Sequence, residues 1–366
     1  MHRCSKKIII ESNVVRHIMQ NDIPDDRISE SSGKTDTKTI SIEPYRRIGN
    51  NRSLMDILLY DQNTRSNLIW ATDDYSSQGT GFGLRDRMQY LFIINPNRII
   101  RPRYLKSQSE QRSRSRDMAE VFTPPWIVNK QNNLVDEQWF GRKNPFNTED
   151  GRGWIPTDRV DFGDLDWKDY VRSVRMEVCC GEAPYLTTRY DSVNGAEIPV
   201  PMRVGMLDRK LRVVSENVES PLSWINWAKS AVKSVYAYDF QGDNVLLARE
   251  NILLSFAEAY REKFREDIPQ DTAEDVARIL SWNIWQMDGM KMVIPFSCER
   301  ICSFDGEHSP VNSCPACKNG KGRHSGRYCR IMDWDKDSTV EFSSLCGKET
   351  KVQSKAVTGR TLESWV

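Results

Sequence analysis

Three short apolar segments in the second half of the chain each end at a residue suited to ligand binding. Residues 176–181 end at Gly181, residues 234–239 at Asp239, and residues 283–288 at Asp288. If the segments are parallel strands, their carboxyl ends meet at one edge of a sheet, where ligands of such sheets bind. A glycine lets backbone approach a ligand closely, while the two acids could accept hydrogen bonds from ribose hydroxyls and from the amine of adenine. The pattern predicts a pocket for an adenosine-containing cofactor.

NAD, FAD and S-adenosylmethionine all contain adenosine. The G-x-G-x-x-G fingerprint that binds a pyrophosphate is missing from the first turn, and Glu182, directly after Gly181, would repel phosphates. S-adenosylmethionine carries a sulfonium and an ammonium group and no phosphate. The residues therefore favour S-adenosylmethionine and disfavour a nicotinamide-dependent oxidoreductase.

Helical patterns lie around the three predicted strands. A helix start is expected in residues 164–174, and apolar residues recur at helical spacing over 221–233, 243–264 and 271–280. Strands that alternate with helices predict a parallel α/β sheet. We expect a partial Rossmann-like sheet, an irregular N-terminal region and a small cysteine-rich C-terminal segment.

The same segments resemble motifs of the DNA adenine-N6 methyltransferases of bacterial restriction–modification systems. Residues 119–128, AEVFTPPWIV, resemble the family's G-E-F-F-T-P-x-x-I-V segment, and residues 177–186, EVCCGEAPYL, resemble its D-P-x-C-G-x-G-x-F-L cofactor loop. Residues 235–253 resemble I-x-G-x-D-I-x-P…L-A-R-x-N-L, and residues 283–289 resemble N-I-x-x-G-D. The motifs occur in the family's order over residues 118–290, and two phrases (129–137 and 282–291) also look like restriction endonuclease subunit M.

The resemblance implies an S-adenosylmethionine site. By it, Phe122 and Thr123 would cover the methionine part of the cofactor, and Glu177 with the Cys180-Gly181 pair would position its amino and sulfonium end. The full set of implied cofactor-binding residues is Phe122, Thr123, Glu177, Cys180, Gly181, Asp239, Phe240 and Asp288, with Asp239 at the ribose and Asp288 at the adenine. Ala183 stands where the family has its second glycine.

The family's catalytic Asn/Asp-Pro-Pro-Tyr/Phe motif has no counterpart after Asp288. The nearest matches are residues 293–296, VIPF, and residues 123–126, TPPW, and both lack the Asn or Asp that accepts a hydrogen bond from the target amine. The 78 residues after Asp288 are too few for the catalytic half and a target-recognition domain. Catalytic residues therefore remain unassigned. We expect a second protein subunit to supply them; alternatively, the chain is a degenerate, non-catalytic DNA-binding or assembly subunit. No P-D…(D/E)-x-K pattern favours an endonuclease.

A run of arginines precedes the first motif. Arginine forks match phosphate geometry, so the run could contact the backbone of double-stranded DNA; a solvated linker or helix face is the other interpretation. The candidate DNA-binding residues are Arg101, Arg103, Arg112, Arg114 and Arg116.

The C-terminal part holds a candidate zinc site. Cys314 and Cys317 form a C-x-x-C, and Cys329 with Cys302 (or Cys298 or His308) could complete four ligands. The alternative is a set of free thiols in a loop. We expect three regions: an N-terminal polar and basic region (1–117), a methyltransferase-like domain (118–297) and a cysteine-rich tail (298–366).

Composition limits the possible functions. The 366 residues hold 52 Lys and Arg against 51 Asp and Glu, a net charge of +1, so any nucleic-acid contact must come from a local patch. No stretch approaches the roughly 20 apolar residues of a membrane span, and no signal peptide is recognisable. Crowded cysteines without a leader predict reduced thiols and a cytoplasmic protein.

Overall fold

The computed structural model describes residues 39–94, 98–118, 120, 123–304, 307–312 and 314–346; for residues 117–118, 300–304 and 307–312 it describes the backbone alone. The described residues form a mixed α/β fold of 12 helices and several small sheets. The N-terminal part contains helices α1 (Glu43–Asn50) and α2 (Arg52–Leu59), the short hairpin β1 (Tyr60–Asp61) and β2 (Ser66–Asn67), and helices α3 (Tyr90–Ile93) and α4 (Gln108–Met118). This region, expected to be irregular, is therefore largely folded where it is described.

The middle part contains the predicted alternation of helices and strands. In chain order it comprises α5 (Pro125–Phe140), the hairpin β3 (Asn147–Asp150) and β4 (Gly153–Pro156), α6 (Trp167–Arg172), β5 (Arg175–Val178), α7 (Met206–Asn217), α8 (Pro221–Lys233), β6 (Val235–Asp239), α9 (Gly242–Phe264), α10 (Gln270–Asn283) and β7 (Ile284–Gln286). The C-terminal part comprises the strands β8 (Glu299–Phe304) and β9 (Glu307–Asn312), α11 (Pro315–Asn319), the strands β10 (Arg330–Asp333) and β11 (Ser338–Glu341), and α12 (Ser343–Cys346).

Strands β5, β6 and β7 form one parallel sheet, in that order. Glu177 is paired with Ala237, and Asp239 with Gln286. The register places the ends of the three strands at one edge, as the sequence predicted, with α7 and α8 in one crossover and α9 and α10 in the other. Every residue of β6 and β7 is buried, which is typical of parallel strands covered on both faces.

The two faces of this sheet have different covers. Alternate residues of a strand point to opposite faces. Val235 and Ala237 pack into the main core with α7–α10, whereas Tyr236 and Tyr238 pack into a second cluster with residues of the C-terminal part. The second cluster is completed by Trp285, Met287, Ile294, Cys329, Ile331 and Phe342. A doubly wound sheet carries helices on both faces, but here a C-terminal hairpin covers one face, so a Rossmann-like arrangement is not established.

The N-terminal region shares the main core. Tyr45, Leu58 and Trp70 belong to the same buried cluster as the helices beside the sheet, and the hydroxyl of Tyr45 donates to Asn251 of α9 at 2.6 Å. The expected boundary at residues 117/118 therefore does not separate two hydrophobic cores. Among the described residues, no helix combines the length and the apolar character needed to cross a membrane.

Candidate functional site

A cavity of about 560 Å³ lies at the carboxyl ends of β5 and β6. Its walls are the loop after β5, the residues that follow β6, two residues of α9, and Glu120 and Thr123 from the chain before α5. Ligand pockets for small molecules typically have volumes of about 300–1,000 Å³. The cavity thus has the size and the position, beyond strand ends, of a site for a nucleoside-sized ligand.

The loop after β5 has an unusual backbone. Cys179, Gly181 and Ala183 adopt left-handed conformations, with φ of 51°, 52° and 62°. Only glycine adopts this region without strain, and strained residues concentrate at functional sites. Ala183, which replaces a glycine of the resembling motif, therefore occupies a backbone conformation that favours glycine.

Asp239 fixes this loop to the end of β6. Its carboxylate accepts hydrogen bonds from the backbone amides of Gly181 at 2.9 Å and Gln241 at 3.0 Å, and from the side chain of Asn244 at 3.5 Å. Burial raises the pKa of Asp239, although these hydrogen bonds lower it. A carboxylate has about four acceptor positions, so Asp239 positions the loop and still has acceptor capacity for a ligand.

Glu177 lies beneath the same loop. Its carboxylate accepts hydrogen bonds from the backbone amides of Tyr185 at 3.2 Å and Leu186 at 3.0 Å. Burial raises the pKa of Glu177 to about 8, with the nearby charge of Asp239 adding to the effect. At neutral pH the Glu177 carboxyl therefore holds a proton, unless a cation enters the cavity.

Two further acids line the cavity. Glu182 accepts hydrogen bonds from the amide of Arg103 at 2.6 Å and from the hydroxyl of Tyr190, and burial raises its pKa. One oxygen of Glu120 pairs with Arg114, while the other, Oε1, lies 3.9 Å from the Arg103 guanidinium and accepts no hydrogen bond. A buried carboxylate oxygen that accepts no hydrogen bond is costly, so Oε1 can still accept one from a ligand.

Two guanidinium groups lie at the same walls. Arg189 donates to both oxygens of Glu258 and to the hydroxyl of Tyr45 at 3.0 Å, so its charge is matched within the protein. Arg116 is exposed and faces the cavity. Apart from the protonated Glu177, three acids (Glu120, Glu182 and Asp239) line the cavity against these two bases.

Most of the predicted cofactor residues meet at this cavity. The lining includes Thr123, Glu177, Cys180, Gly181, Asp239 and Phe240. Phe122 lies outside the described residues. Asp288 is not part of the lining: its carboxylate pairs with Lys291 at 2.8 Å, and its backbone bridges to Val293. The chain turns immediately after β7, and this turn uses Asp288 to hold its own backbone instead of a ligand.

The sequence did not single out Glu120, Tyr190, Asn244 or Asn251, all of which line the cavity. Asn244 and Asn251 lie seven residues apart on α9, which is two helical turns, so they share a face. The sequence could have indicated these two residues as ligand-binding candidates, because it places two amides on one face of a predicted helix. Tyr190 gives no such signal, because only the folded loop brings it to Glu182.

The two near-matches to the catalytic motif lie in different places. Residues 123–126 lead into α5, and Thr123 lines the cavity. Residues 293–296 follow the turn after β7, and the Phe296 ring packs edge-on against Phe240, with centroids 5.5 Å apart. Neither segment presents an Asn or Asp at the cavity, so the catalytic residues remain unassigned.

The arginine run divides into two groups. Arg103 and Arg114 are buried; Arg114 pairs with Asp74 at 2.6 Å, with Asp243 at 3.0 Å and with Glu120. The Arg103 guanidinium donates to the carbonyls of Gln111 and Glu120 and to the hydroxyl of Ser115. Both guanidinium groups therefore face inward and lack the exposure that a phosphate contact requires. Arg112 and Arg116 are exposed. Arg101 is partly exposed and lies 3.5 Å from Glu110.

A second cluster lies in the C-terminal part. The ligand atoms of Cys298, Cys314, Cys317 and His324 all lie within 4.8 Å of one another, and this Cys₃His group could hold a metal ion such as zinc. Hydrogen bonds from the side chain and backbone of Ser325 lower the pKa of Cys314, which favours the thiolate form that binds metal.

The predicted ligand set is only partly found in this cluster. Cys314 and Cys317 belong to it, as expected. Cys329 does not: its thiol is buried in the second core and contacts the carbonyl of Gln286. The side chain of Cys302 lies outside the described part of the structure. Cys298, one of the predicted alternatives to Cys302, and His324, which was not predicted, complete the group, because the folded chain brings the turn before β8 and the loop after α11 to the C-x-x-C.

No protein-family model matches the chain, and neither a curated protein nor a solved structure is significantly similar to it.

Proposed function

We propose that this chain is the S-adenosylmethionine-binding subunit of a DNA adenine-N6 methyltransferase, of the kind that serves restriction–modification or phage defence in the cytoplasm. One observation carries the proposal. The segments that resemble donor-binding motifs, around Thr123, Gly181 and Asp239, are distant in sequence but surround one cavity. A partial Rossmann-like sheet of β5, β6 and β7 is the proposed frame of this site.

The charge of the cavity favours a cation. Glu120, Glu182 and Asp239 surround the space, and the amides of Gly242 and Asn244 at the N-terminus of α9 are already bonded within the protein, to Trp70 and Asp243. S-adenosylmethionine brings a sulfonium and an ammonium group to these acids. Oε1 of Glu120, which accepts no hydrogen bond within the protein, offers an acceptor for the ammonium group.

The remaining parts of the ligand follow from this orientation. Asp239 takes a ribose hydroxyl with its remaining acceptor capacity. The adenine lies against Phe240, whose ring lines the cavity and is supported by Phe296. Asp288, held by Lys291, has no direct role in this arrangement.

The methyl acceptor is bound elsewhere. In the described residues the parallel sheet has three strands, β5 is at its edge, and Val178 of β5 is 47% exposed. An edge strand can pair with a strand of another chain. We place the catalytic and target-recognition half on a second subunit. Double-stranded DNA contacts the exposed arginines of the run, Arg112 and Arg116, with Arg101 beside them.

Calorimetry with the full chain tests the donor site. S-adenosylmethionine should bind, and S-adenosylhomocysteine, which lacks the sulfonium charge, should bind about tenfold more weakly, or about 1.4 kcal/mol. The Glu120→Gln variant should bind both ligands more weakly, because both carry the ammonium group, while Glu266→Gln, which changes an exposed acid, should bind both as the wild type does. Absence of S-adenosylmethionine binding, or tighter binding of NAD, would refute the proposal.

A methylation assay tests whether a second subunit supplies the catalytic half. The pure chain should transfer no methyl group to DNA, whereas the complex co-purified from its native host should do so. Methyl incorporation by the pure chain would exclude a catalytic half in trans. An inactive complex whose chain still binds DNA would instead support the non-catalytic assembly subunit.

A further inference from the structure

The four side chains Cys298, Cys314, Cys317 and His324 have the spacing of a closed tetrahedral site. Zinc bonds of about 2.3 Å to sulfur and about 2.1 Å to nitrogen place tetrahedral sulfur and nitrogen ligands about 3.6 Å apart. The Nδ1 atom of His324 lies 3.6 Å from Sγ of Cys314 and 3.4 Å from Sγ of Cys317. The ligand atoms are thus already arranged around a point where one ion fits.

The surroundings of the sulfurs fit a metal site better than a set of free thiols. The amide of Ser325 points at Sγ of Cys314 at 3.3 Å, and an outer hydrogen bond of this kind fixes a thiolate ligand. The backbone of Gly326 approaches Cys298 so closely that a Cβ there would lie 2.6 Å from its sulfur. His324 is held by its own amide, which donates to the hydroxyl of Tyr328 at 2.8 Å.

The segment has little else to stabilise it. The apolar cluster around the site has four buried members, and two of them are the ligands Cys298 and Cys314, the others being Val293 and Ala316. Helix α11, which carries the C-x-x-C, has five residues. Short polar segments of this kind gain their folding free energy from the metal.

The cluster is also connected to the cavity. Cys298 follows Phe296 by two residues, and the Phe296 ring packs against Phe240 in the cavity wall. The residues just before Phe296 are held by backbone hydrogen bonds of Ile294 to Arg327 at 2.9 Å and of Cys329 to Met292 at 3.1 Å. The turn that leads to Cys298 thus supports the aromatic wall.

We propose that Cys298, Cys314, Cys317 and His324 bind one structural zinc ion, and that this ion holds residues 293–298 in place so that Phe296 supports Phe240. The site is closed: four protein ligands saturate the ion and leave no position for a substrate. Its role is to position the cavity wall, and the assignment of zinc itself does not depend on what the cavity binds.

Metal content of the full chain tests the ligand set. Protein purified without chelators should contain one zinc per chain, and cobalt substituted for zinc should show the visible absorption of a tetrahedral thiolate site. His324→Ala and Cys317→Ser should lose the metal, whereas His324→Cys, which restores a fourth ligand, and Cys346→Ser, at an exposed cysteine outside the cluster, should keep it. Gly326→Ala, which crowds the Cys298 sulfur, should weaken zinc binding about tenfold or more. Wild-type protein without zinc, or full zinc in Cys317→Ser, would overturn the site.

Hydrogen exchange tests the positioning role without any ligand in the cavity. Removal of zinc should speed exchange of the Ile294 and Cys329 amides about tenfold or more, while the amides in the middle of α9, which lies in the main core, should not change. Unchanged exchange at Ile294 and Cys329 after complete loss of zinc would overturn the positioning role. Failure of S-adenosylmethionine to bind would refute the proposed function but leave both of these results interpretable.

Discussion

The carboxyl group of Glu177 should make the stability of this protein fall as the pH rises. Burial raises the pKa of Glu177 from 4.5 to about 8 in the folded protein. Between these values the folded chain keeps a proton that the unfolded chain has lost. Because the folded state then binds more protons than the unfolded state, the free energy of unfolding decreases by about 1.4 kcal/mol for each pH unit. The contribution is complete below pH 4.5 and is lost as the pH approaches 8.

Replacement of Glu177 by glutamine isolates this effect. Glutamine is neutral at every pH, so the variant lacks the titration that lowers the stability of the wild type. From pH 5 to pH 7.5 the free energy of unfolding of Glu177→Gln, relative to wild type, should rise by about 3 kcal/mol. Other buried acids with raised pKa values, Glu182 and Asp208 among them, titrate in both proteins and cancel in the difference.

Urea denaturation followed by tryptophan fluorescence, repeated at several pH values, measures this difference. Glu266→Gln is the matched control because its carboxyl is exposed, and its difference from wild type should stay constant. A constant difference for Glu177→Gln would refute the reasoning. It would mean that the amides of Tyr185 and Leu186 stabilise the carboxylate as strongly as burial destabilises it.

Further outcomes follow from the cavity, the arginine run and two glycines. A cation in the cavity should ionise Glu177, so S-adenosylmethionine binding should release close to one proton at pH 7 and about 0.1 at pH 9, measured as buffer-dependent binding enthalpy. Arg114→Ala should cost about 3–5 kcal/mol of stability because it leaves buried carboxylates unpaired. Arg112→Ala, at an exposed position, should change stability by under about 0.5 kcal/mol. It should also reduce the number of counterions released on DNA binding, measured from the salt dependence of the affinity, by about one. In Gly242→Ala the new Cβ would lie 2.0 Å from a backbone oxygen, so urea denaturation should show a loss of over about 2 kcal/mol of stability. In Gly181→Ala the new Cβ meets no atom within 4 Å, but the backbone has a φ of 52°, so the loss of stability should be about 1–2 kcal/mol.

Local patterns predicted the central elements well. Residues 221–233, 243–264 and 271–280 were expected to be helical, and the structure has α8, α9 and α10 at these places. Their apolar residues recur with the period of a helix that packs on a sheet, so local sequence and tertiary packing agree. The three strands were placed within a few residues of their actual ends for the same reason. Helix α7 was missed: its buried positions include Asp208, Arg209 and Lys210, so its buried face is polar and breaks the apolar pattern.

Long-range contacts account for what the sequence did not predict. Arg114 looks like part of a solvated basic run, because its partners Asp74 and Asp243 lie far along the chain. A hairpin instead of helices covers the second face of the sheet, and no local periodicity in the sequence predicts which element packs there. The fourth metal ligand depended on the same kind of contact, since His324 reaches the thiols only after the loop behind α11 has folded.

The geometry at Asp239 also determines which substitution can test the proposed donor site. Asp239 is the obvious residue to change, but its carboxylate holds the amides of Gly181 and Gln241. Asp239→Ala would release the loop after β5 and abolish binding whether or not the carboxylate touches the ligand. Glu120 is the better choice because its Oε1 accepts no hydrogen bond within the protein. A glutamine at this position removes the charge and leaves an oxygen that can still accept from Arg114, so an equal loss of affinity for S-adenosylmethionine and S-adenosylhomocysteine there reports on the ammonium contact instead of on the loop.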